Sequence, residues 1–552
     1  MWATTFEKEK KIWKGNDLPT CERNLSIATV LLKSLNSESK KIAQINATTG
    51  YSLTFDEIRI RTNRAARNLQ KRGIGLATEE IFGIVARSHD HLAPVIFASF
   101  SLGCTIYTID SLFKKFEFVQ KFQKIKPNVI FCDINAYDTV VAALAELNHQ
   151  AKIFTFDGER GGSVNVDHLF EKVDDDADII PVSVDAVNHL AAIVCSSGTT
   201  GPAKGICMSH SMLINAATFT YGWEPQSKRI WLNTYSIYWF RSLLSLIAGT
   251  IHCATRVIIT EKFTPQRILE IIEIFHVSRL SASPYMLKEL IHCDAIKTAN
   301  LSSVENIFLG AYKLPYEIGK MMDDLLPNGS VNNRYGLTEL GGTVAIEVPK
   351  FSKGSVGKLK SGNVAKIVDE NGKKLGVNER GEICIKSMSM LSGYYQEEAL
   401  TKESFDEEGF FFTGDIGYFD DECDLFIVDR KKETFEYNSY VISPSEVEGV
   451  LLQSPQIAEV CVFSVFNQRG EEVPTAAVVR AANSDITADE IVQLIADYFY
   501  DRNKLAGGIY FVDSIPKTPS GKNLRRKMKE IFLDQIATHH RTSTSISSTT
   551  EG

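Results

Sequence analysis

The sequence lacks several features that would assign it to simpler classes of protein. Its ten cysteines are scattered along 552 residues, with no Cys-x-x-Cys pair and no histidine at zinc-ligand spacing. We therefore expect reduced thiols rather than a disulfide framework or a zinc site. The formal net charge is −8, so the composition gives no reason to expect a nucleic-acid partner.

Targeting signals are also missing from both ends. The first residues, MWATTFEKEKKIWKG, contain no apolar core of the kind a secretory signal needs, and the last, SSTTEG, form neither a lipidation box nor a Ser-Lys-Leu address. One uncharged run, residues 92–109, reaches the length of a membrane span. Pro94 and Gly103 divide it into an apolar helix and a β-branched strand. The run therefore predicts buried core, and no transmembrane segment is expected.

What is present predicts a large α/β protein with a second, smaller unit. The chain is too long for one hydrophobic core, and its 44% hydrophobic and 23% charged residues are typical of a globular protein. From about Thr54, helical patterns alternate with short β-rich runs such as EIFGIVAR and PNVIFCD. This alternation predicts parallel sheets covered by helices.

The texture changes after about Lys353, where short strands and tight turns, including Asn371-Gly372, predict a small β-barrel-like hairpin region. A small α+β unit follows. We place the large domain at residues 1–428, a charged hinge at 429–433, a mobile C-terminal lid domain at 434–539 and a disordered Ser/Thr-rich tail at 540–552.

A loop rich in serine, threonine and glycine predicts an anion site. It lies in IVCSSGTTGPAKGICMSH, residues 193–210, between two apolar runs. The order of its glycines and its lysine differs from that of a P-loop, and a strand-like run follows instead of a helix. Hydroxyls, close-approaching backbone N–H groups and Lys204 are nevertheless the parts of a polyphosphate cradle. The alternative is a Gly/Ser-rich turn that binds nothing.

Three later motifs follow this loop in order: NRYGLTEL at 333–340, TGDIGYFDDECDLFIVDR at 413–430 and PKTPSGKNLRRK at 516–527. Together the four motifs resemble the adenylate-forming superfamily, which includes acyl-CoA synthetases, coumarate-type CoA ligases, beetle luciferases and peptide-synthetase adenylation domains. The resemblance covers nearly the whole chain. The layout is most similar to that of insect luciferase-like acyl-CoA synthetases.

The resemblance implies an AMP-forming acid–thiol ligase that uses ATP, Mg²⁺ and, as co-substrate, coenzyme A. A fatty or aromatic carboxylic acid would attack the α-phosphate of ATP, releasing pyrophosphate and forming an acyl-adenylate, and the acyl group would then pass to CoA. Because negative charge gathers at phosphorus, such catalysis consists mainly of positioning and of cations and donors aimed at that charge.

The resemblance also implies roles for individual residues. Lys522, Thr338 and Glu339 would be catalytic, with Glu339 also binding Mg²⁺, and Asp415, supported by Arg430, would accept the ribose hydroxyls. The implied nucleotide-binding set is Ser196, Ser197, Gly198, Thr199, Thr200, Gly201, Lys204, Gly310, Ala311, Tyr312, Asn333, Tyr335, Gly336, Thr338, Asp415, Arg430 and Lys522. The implied acid-binding set is Tyr235, Trp239, Leu309, Gly310 and Gly341.

Three departures from the family pattern keep other functions open. Tyr235 falls about where the family commonly has a histidine, and Arg334 replaces a usual glycine. The segment EYNSY, residues 436–440, stands where Lys-Tyr-Lys-Gly-Tyr is usual. This last change puts the thioester step in doubt and leaves as an alternative a degenerate protein that binds nucleotide and acid. A luciferase-type monooxygenase is a further, less favoured alternative.

Two further expectations concern a basic run near the C-terminus and the compartment of the protein. The basic run RRKMK, residues 525–529, is typical of a solvated helix face, and contact with CoA phosphates is the alternative. The resemblance suggests a peroxisomal enzyme, whereas the missing C-terminal tripeptide would favour the cytoplasm.

Overall fold

The fold consists of two large mixed sheets, an antiparallel hairpin region and a small C-terminal α+β unit. It is seen in a computed structural model that describes residues 3–17, 24–174, 177–195, 204–221, 229–309, 316–347, 354–437, 440–467, 472–498, 505–518 and 521–534. The predicted fold class is confirmed. Expectations for residues 196–201, 310–312, 438–439 and 540–552 lie outside the described residues.

The first large sheet has eight strands and is parallel apart from two strands at one edge. Its order is β22 (Gly393–Tyr394), β11 (Gly205–Ser209), β10 (Leu190–Cys195), β6 (Thr105–Ile109), β5 (Ile81–Val85), β7 (Val129–Asp133), β8 (Lys152–Phe156) and β9 (Val164–Asn165). The phosphate-loop segment connects β10 to β11, so it leaves the sheet near that edge.

The second large sheet has seven strands and is parallel except for its last strand. Its order is β16 (Ser330–Asn332), β15 (Asn306–Leu309), β14 (Arg279–Ala282), β12 (Ile230–Asn233), β13 (Thr255–Ile258), β3 (Ile42–Asn46) and β4 (Ser52–Thr54). Parallel neighbours in a sheet need long crossover connections, which usually contain a helix. The long helices of the large domain supply them.

The helices of the large domain flank these sheets. They are α1 (Ile27–Ser37), α2 (Phe55–Lys71), α3 (Leu92–Ser101), α4 (Lys115–Lys124), α5 (Tyr137–Glu146), α6 (His210–Tyr221), α7 (Phe240–Ile251), α8 (Pro265–Phe275), α9 (Pro284–His292), α10 (Tyr316–Asp324) and α11 (Glu398–Glu403). Short 3₁₀ turns cover Ile134–Ala136, Val166–Leu169, Asp294–Lys297 and Thr338–Leu340.

Local sequence explains where several helices begin. Thr54 accepts a hydrogen bond from the N–H of Glu57, and the Glu57 carboxylate accepts one from the N–H of Thr54, a capping box that starts α2. Helices α8 and α9 begin at Thr-Pro and Ser-Pro pairs, in which the hydroxyl caps the first turn and proline occupies the first helical position.

The apolar run at residues 92–109 is core, as predicted. It forms α3 and β6, and every residue of both elements is buried. Phe97 and Phe100 are among the largest side chains that are fully buried. Among the residues that the structure describes, none of the helices is both long and apolar enough to span a bilayer.

The hairpin region forms antiparallel sheets that carry the candidate site. Six strands follow the order β1 (Thr4–Glu7), β2 (Ile12–Gly15), β20 (Asn363–Val368), β21 (Gly381–Ser387), β23 (Phe411–Phe419) and β24 (Leu425–Arg430). Three more follow the order β17 (Arg334–Leu337), β18 (Gly342–Ile346) and β19 (Lys358–Leu359). Strands β1 and β24 remain edges in the described residues, so the barrel-like region is an open sheet.

The C-terminal unit begins after β24. It contains β25 (Phe435–Tyr437), β26 (Tyr440–Ile442), α12 (Pro444–Leu451), β27 (Ile457–Phe466), β28 (Glu472–Arg480), α13 (Ala488–Tyr498), β29 (Ile509–Phe511) and a helix over 525–534. It has its own apolar core around Val447, Val462 and Ile491. Side-chain contacts with the end of β24 join it to the large domain.

Candidate active site

The hairpin of β23 and β24 places a carboxylate and a guanidinium opposite each other. Asp415 and Arg430 are cross-strand partners, and Arg430 Nε lies 2.6 Å from Asp415 Oδ1. Asp415 is on the inward face of β23, which alternates between buried and partly exposed residues. Burial raises the pKa of Asp415, and the charge of Arg430 opposes that rise. Arg430 therefore holds the buried Asp415 carboxylate in place as a hydrogen-bond acceptor.

Strand β17 brings Tyr335 to the same carboxylate. The Tyr335 hydroxyl donates a hydrogen bond of 2.7 Å to Asp415 Oδ2. Burial and the nearby carboxylate raise the pKa of Tyr335, so the hydroxyl remains a donor at neutral pH. The next residue, Gly336, has to be glycine because the backbone of β18 is very close: an added Cβ would lie 1.9 Å from the carbonyl oxygen of Gly342.

The 3₁₀ turn at Thr338–Leu340 places a second carboxylate beside this group. Burial raises the pKa of Glu339, whereas the hydrogen bond from Tyr394 and the charges of Arg430 and Lys204 lower it. Gly341 ends the turn with φ of 74°. An added Cβ there would lie 2.4 Å from the Cβ of Ser389, so the turn needs glycine for both conformation and space.

Tyr394 connects Glu339 to Lys204 and was not predicted from the sequence. Its hydroxyl donates to Glu339 Oε1 at 3.3 Å, and Lys204 Nζ lies 5.0 Å from the centroid of its ring. Strand β22 pairs with β11, placing Tyr394 opposite Ile206, just after the phosphate-loop segment. The sequence signal for a functional role of Tyr394 was weak, because a Gly-Tyr-Tyr run between hairpins is also typical of core packing.

Lys522 approaches this cluster from the C-terminal unit. Its backbone is fixed by hydrogen bonds to Thr518, from Thr518 N to Lys522 O at 2.8 Å and from Lys522 N to Thr518 Oγ1 at 3.1 Å. Burial and the charge of Arg430 lower the pKa of Lys522, and the charges of Asp415, Glu433 and Glu339 oppose this. The ammonium therefore shares one electrostatic environment with the groups on the large domain.

Arg525 ties the C-terminal unit to the segment after β24. It forms ion pairs with Glu433 and, at 2.6 Å, with Glu448 of α12. Burial raises the pKa of Glu448 to about 7, opposed by the charge of Arg525. The prediction that the basic run is a solvated face is therefore wrong for Arg525, although the next residue, Arg526, is exposed.

Asp429 makes a second set of contacts between the end of β24 and the C-terminal unit. It is buried at the end of β24, and its carboxylate accepts hydrogen bonds from Ser443 Oγ at 2.7 Å, Ser445 N at 2.8 Å and Ser445 Oγ at 3.0 Å. Ser443 also caps α12. The first turn of that helix is thereby fastened to the large domain.

The segment predicted to line an acid pocket lies between β12 and α7. The Tyr235 hydroxyl is buried and makes no hydrogen bond within the described residues. The guanidinium carbon of Arg241 lies 5.6 Å from the centroid of the Tyr235 ring, and Arg241 Nη1 donates to the carbonyl of Phe308 at 3.4 Å. Leu309, buried at the end of β15, brings that strand end to the same region.

Aromatic side chains cluster beside the segment between β12 and α7. The ring centroids of Tyr238 and Trp239 are 5.1 Å apart, and Phe113 contacts Tyr238 edge-on at 5.2 Å. Lys121 Nζ lies 4.9 Å from the Phe113 centroid. These aromatic side chains therefore form an apolar cluster with a cation at its edge.

Two predicted positions have contacts that the sequence did not indicate. The amide of Asn333 donates to the carbonyl of Ser355 at 3.4 Å, so its contact here is with backbone. Arg334 is buried, and its guanidinium carbon lies 3.3 Å from the centroid of Phe308. The sequence left open whether Arg334 crowds or pairs with a nucleotide, and this stays a prediction; the structure adds that Arg334 stacks on an aromatic ring.

A scan against known families agrees with this arrangement. The family described as AMP-binding enzyme matches residues 32–395, and the AMP-binding enzyme C-terminal domain matches residues 446–522. The chain belongs to the AMP-binding, adenylate-forming enzymes. The resemblance drawn from the four motifs is thereby confirmed.

Individual proteins that are similar to this adenylate-forming enzyme match it over most of its length. The 4-coumarate–CoA ligase 3 of Oryza sativa subsp. japonica is 30% identical over 502 residues, which cover 88% of each chain. The structure of ATP-bound MatB from Rhodopseudomonas palustris has a TM-score of 0.83 at 22% identity, covering 92% of this chain and 99% of that chain. The luciferase-like enzyme from the nonluminescent mealworm Zophobas morio has a TM-score of 0.71 at 23% identity, covering 76% and 99%.

Proposed function

We propose that this adenylate-forming enzyme activates a fatty or aromatic carboxylic acid with ATP and then transfers the acyl group to coenzyme A. The observation that carries the proposal is the convergence of Asp415, Tyr335, Glu339 and Lys522 from four separate segments on one electrostatic cluster. A set of acceptors, donors and cations placed this way suits a nucleotide that is attacked at phosphorus.

Each residue then has a chemical task. Asp415 accepts hydrogen bonds from the ribose hydroxyls, with Tyr335 and Arg430 holding its carboxylate in place. Thr338 and Lys204 contribute a hydroxyl and a positive charge for the phosphates. Lys522 places an ammonium beside the reacting groups, where it stabilises the negative charge that develops as the carboxylate attacks the α-phosphorus and pyrophosphate leaves.

Glu339 fits the role of magnesium ligand. Its carboxylate accepts a hydrogen bond of 3.3 Å from the Tyr394 side chain, and carboxylate oxygen is the ligand that Mg²⁺ prefers. Bound there, the ion would neutralise charge on the phosphate oxygens.

Replacement of Tyr394 by phenylalanine is expected to raise the KM for Mg·ATP by about three- to tenfold, because one hydrogen bond that orients Glu339 is worth about 1 kcal/mol. Steady-state pyrophosphate release measures this. Tyr395→Phe is the matched control, since its hydroxyl makes no side-chain hydrogen bond within the described residues. Equal KM values for both variants would remove Tyr394 from the site.

The test of the function separates its two half-reactions. We expect acid-dependent ATP–pyrophosphate exchange with at least one member of a panel of fatty and aromatic acids, followed by thioester formation when CoA is added. Exchange without thioester would confine the activity to adenylation.

A second function is favoured by one observation in the sequence. Glu436, Asn438 and Ser439 replace residues that the family uses around the CoA thiol. A protein that binds nucleotide and acid without completing transfer would show saturable ATP binding but no exchange with any acid of the panel.

A further inference from the structure

A row of unusual side chains crosses the second large sheet. Arg279, Trp231, Arg256 and Gln44 are neighbours on consecutive strands β14, β12, β13 and β3. Strands of a parallel sheet that is covered on both faces are normally apolar throughout. Helix α7 leaves room for Arg256 at Gly249, where an added Cβ would lie 2.9 Å from the arginine Cδ. The packing therefore accommodates a cation inside the domain.

Arg256 has no anionic partner among the residues that the structure describes. Its single hydrogen bond within the described residues runs from Nη2 to Gln44 Oε1 at 2.7 Å, and it forms no ion pair with any carboxylate described by the structure. Gln44 is itself held by a hydrogen bond from its Nε2 to the carbonyl of Asp90 at 3.1 Å. Burial lowers the pKa of Arg256 to about 10. The side chain is partly buried, and a cation that is partly removed from water is costly when no carboxylate among the described residues pairs with it, so this arrangement needs compensation.

A cavity of 40 Å³ lies beside this guanidinium. Its lining combines polar and apolar side chains: Gln44, Arg87, Ser88, His89, Leu92, Ala93, Trp231, Asn233, Ile237, Ser242, Ser245, Leu246, Arg256, Val257 and Ile258. None of these described lining residues is acidic. Ser245 is buried, and its hydroxyl makes no hydrogen bond with the described residues. Arg87, which is exposed, also lines the cavity.

We propose that this cavity is a binding site for a small organic carboxylate, whose oxygens accept hydrogen bonds from Arg256 and Ser245. Its carbon end packs against Leu92, Ile237 and Leu246, which line the same cavity. A space of 40 Å³ accommodates a few heavy atoms, since about 10–15 Å³ of cavity volume is enough to hold one water. The apolar part of the lining favours a carboxylate over inorganic phosphate, which has no apolar portion.

The cavity shares a wall with the segment assigned to the acid under the proposed function. Ile237 and Ser242 belong to both, and Ser242 Oγ donates to the carbonyl of Tyr235 at 3.0 Å while accepting from Asn233 Nδ2 at 2.8 Å. The carboxylate therefore has two possible sources, a free short acid or the far end of a longer acid lying against that segment. Binding itself does not depend on the proposed activity.

Thermal unfolding of the full chain tests the proposal without any enzymatic readout. Sodium acetate and propionate are expected to raise the melting temperature saturably over sodium chloride of equal ionic strength. Arg256→Met is expected to weaken the apparent affinity at least about tenfold. Ser245→Ala, which keeps the guanidinium, weakens it to a smaller extent. Arg160→Met removes an exposed, ion-paired arginine outside the cavity and leaves the effect intact.

Other outcomes identify the source of the carboxylate or rule out the proposed site. If adipate and longer diacids stabilise the protein through Arg256 and acetate does not, the carboxylate is the far end of a longer acid. Stronger stabilisation by phosphate than by propionate would overturn the assignment to a carboxylate. Equal stabilisation of the wild type, Arg256→Met and Ser245→Ala by acetate would show that no such site exists.

Discussion

Lys522→Ala is expected to lower the rate of acid-dependent ATP–pyrophosphate exchange about a thousandfold. An ammonium about 4 Å from a developing oxyanion is worth about 4 kcal/mol at an effective dielectric constant of about 20. That energy corresponds to roughly three factors of ten in rate. The proposed placement rests on the charges of Asp415, Arg430 and Glu339, which act on the pKa of Lys522. Single-turnover pyrophosphate release measures the loss.

Lys527→Ala is the matched control for that experiment. Lys527 is exposed on the following helix and is expected to leave the rate unchanged. The fold should survive in both variants, so equal melting temperatures confirm that the loss is chemical. An unaltered exchange rate in Lys522→Ala would remove this lysine from the mechanism.

The same lysine predicts an alkaline limit. Its pKa is lowered by burial and by Arg430, so the ammonium loses its proton at a pH below the ordinary lysine value of 10.5. The kcat/KM for ATP, which reports the free enzyme, should therefore fall on the alkaline side below that value. Lys522→Arg retains its charge at any such pH and should move this limb upward, even if its maximal rate is lower.

Arg525→Met is expected to lower the free energy of unfolding by about 3–5 kcal/mol, because it leaves Glu448 and Glu433 without their counter-charge. The loss should be smaller at pH 5.5 than at pH 8. The pKa of Glu448 is already raised in the folded protein and rises further without the arginine, so protonation relieves the buried charge at acid pH and the stability falls as pH increases. Urea unfolding at both values measures this.

Arg526→Met provides the comparison for Arg525. Among the described residues, Arg526 pairs with Glu530 alone, on the exposed face of the same helix. Such pairs contribute about 0–1 kcal/mol, so its removal should change stability little. If the two variants were equally stable, the buried pairs of Arg525 would not hold the C-terminal unit.

The sequence was sufficient for elements whose signals are local. Alternating helical and β-rich runs predicted the parallel sheets, and Pro94 and Gly103 divided the apolar run correctly into α3 and β6. The turn at Asn371-Gly372 also forms, with Gly372 at a φ of 77°. In each case neighbouring residues contain the information, so no tertiary contact was needed.

The sequence was insufficient where partners lie far apart along the chain. Arg525 reads as one of several solvated basic residues, and only the fold brings Glu433 and Glu448 to it. Tyr394 and Glu339 meet across 55 residues, and Arg334 stacks on Phe308 from another sheet. The roles assigned to the phosphate-loop residues and to Gly310–Tyr312 stay predictions, because they lie outside the described residues.

Asp429 has a consequence for any swing of the C-terminal unit between half-reactions. Its carboxylate holds Ser443 and Ser445 at the start of α12, while Glu433 already belongs with Arg525. Any reorientation of α12 relative to β24 therefore requires the buried Asp429 carboxylate to lose these donors. Leaving a buried acceptor without its hydrogen bonds costs about 1–3 kcal/mol, so the two serines oppose such a reorientation.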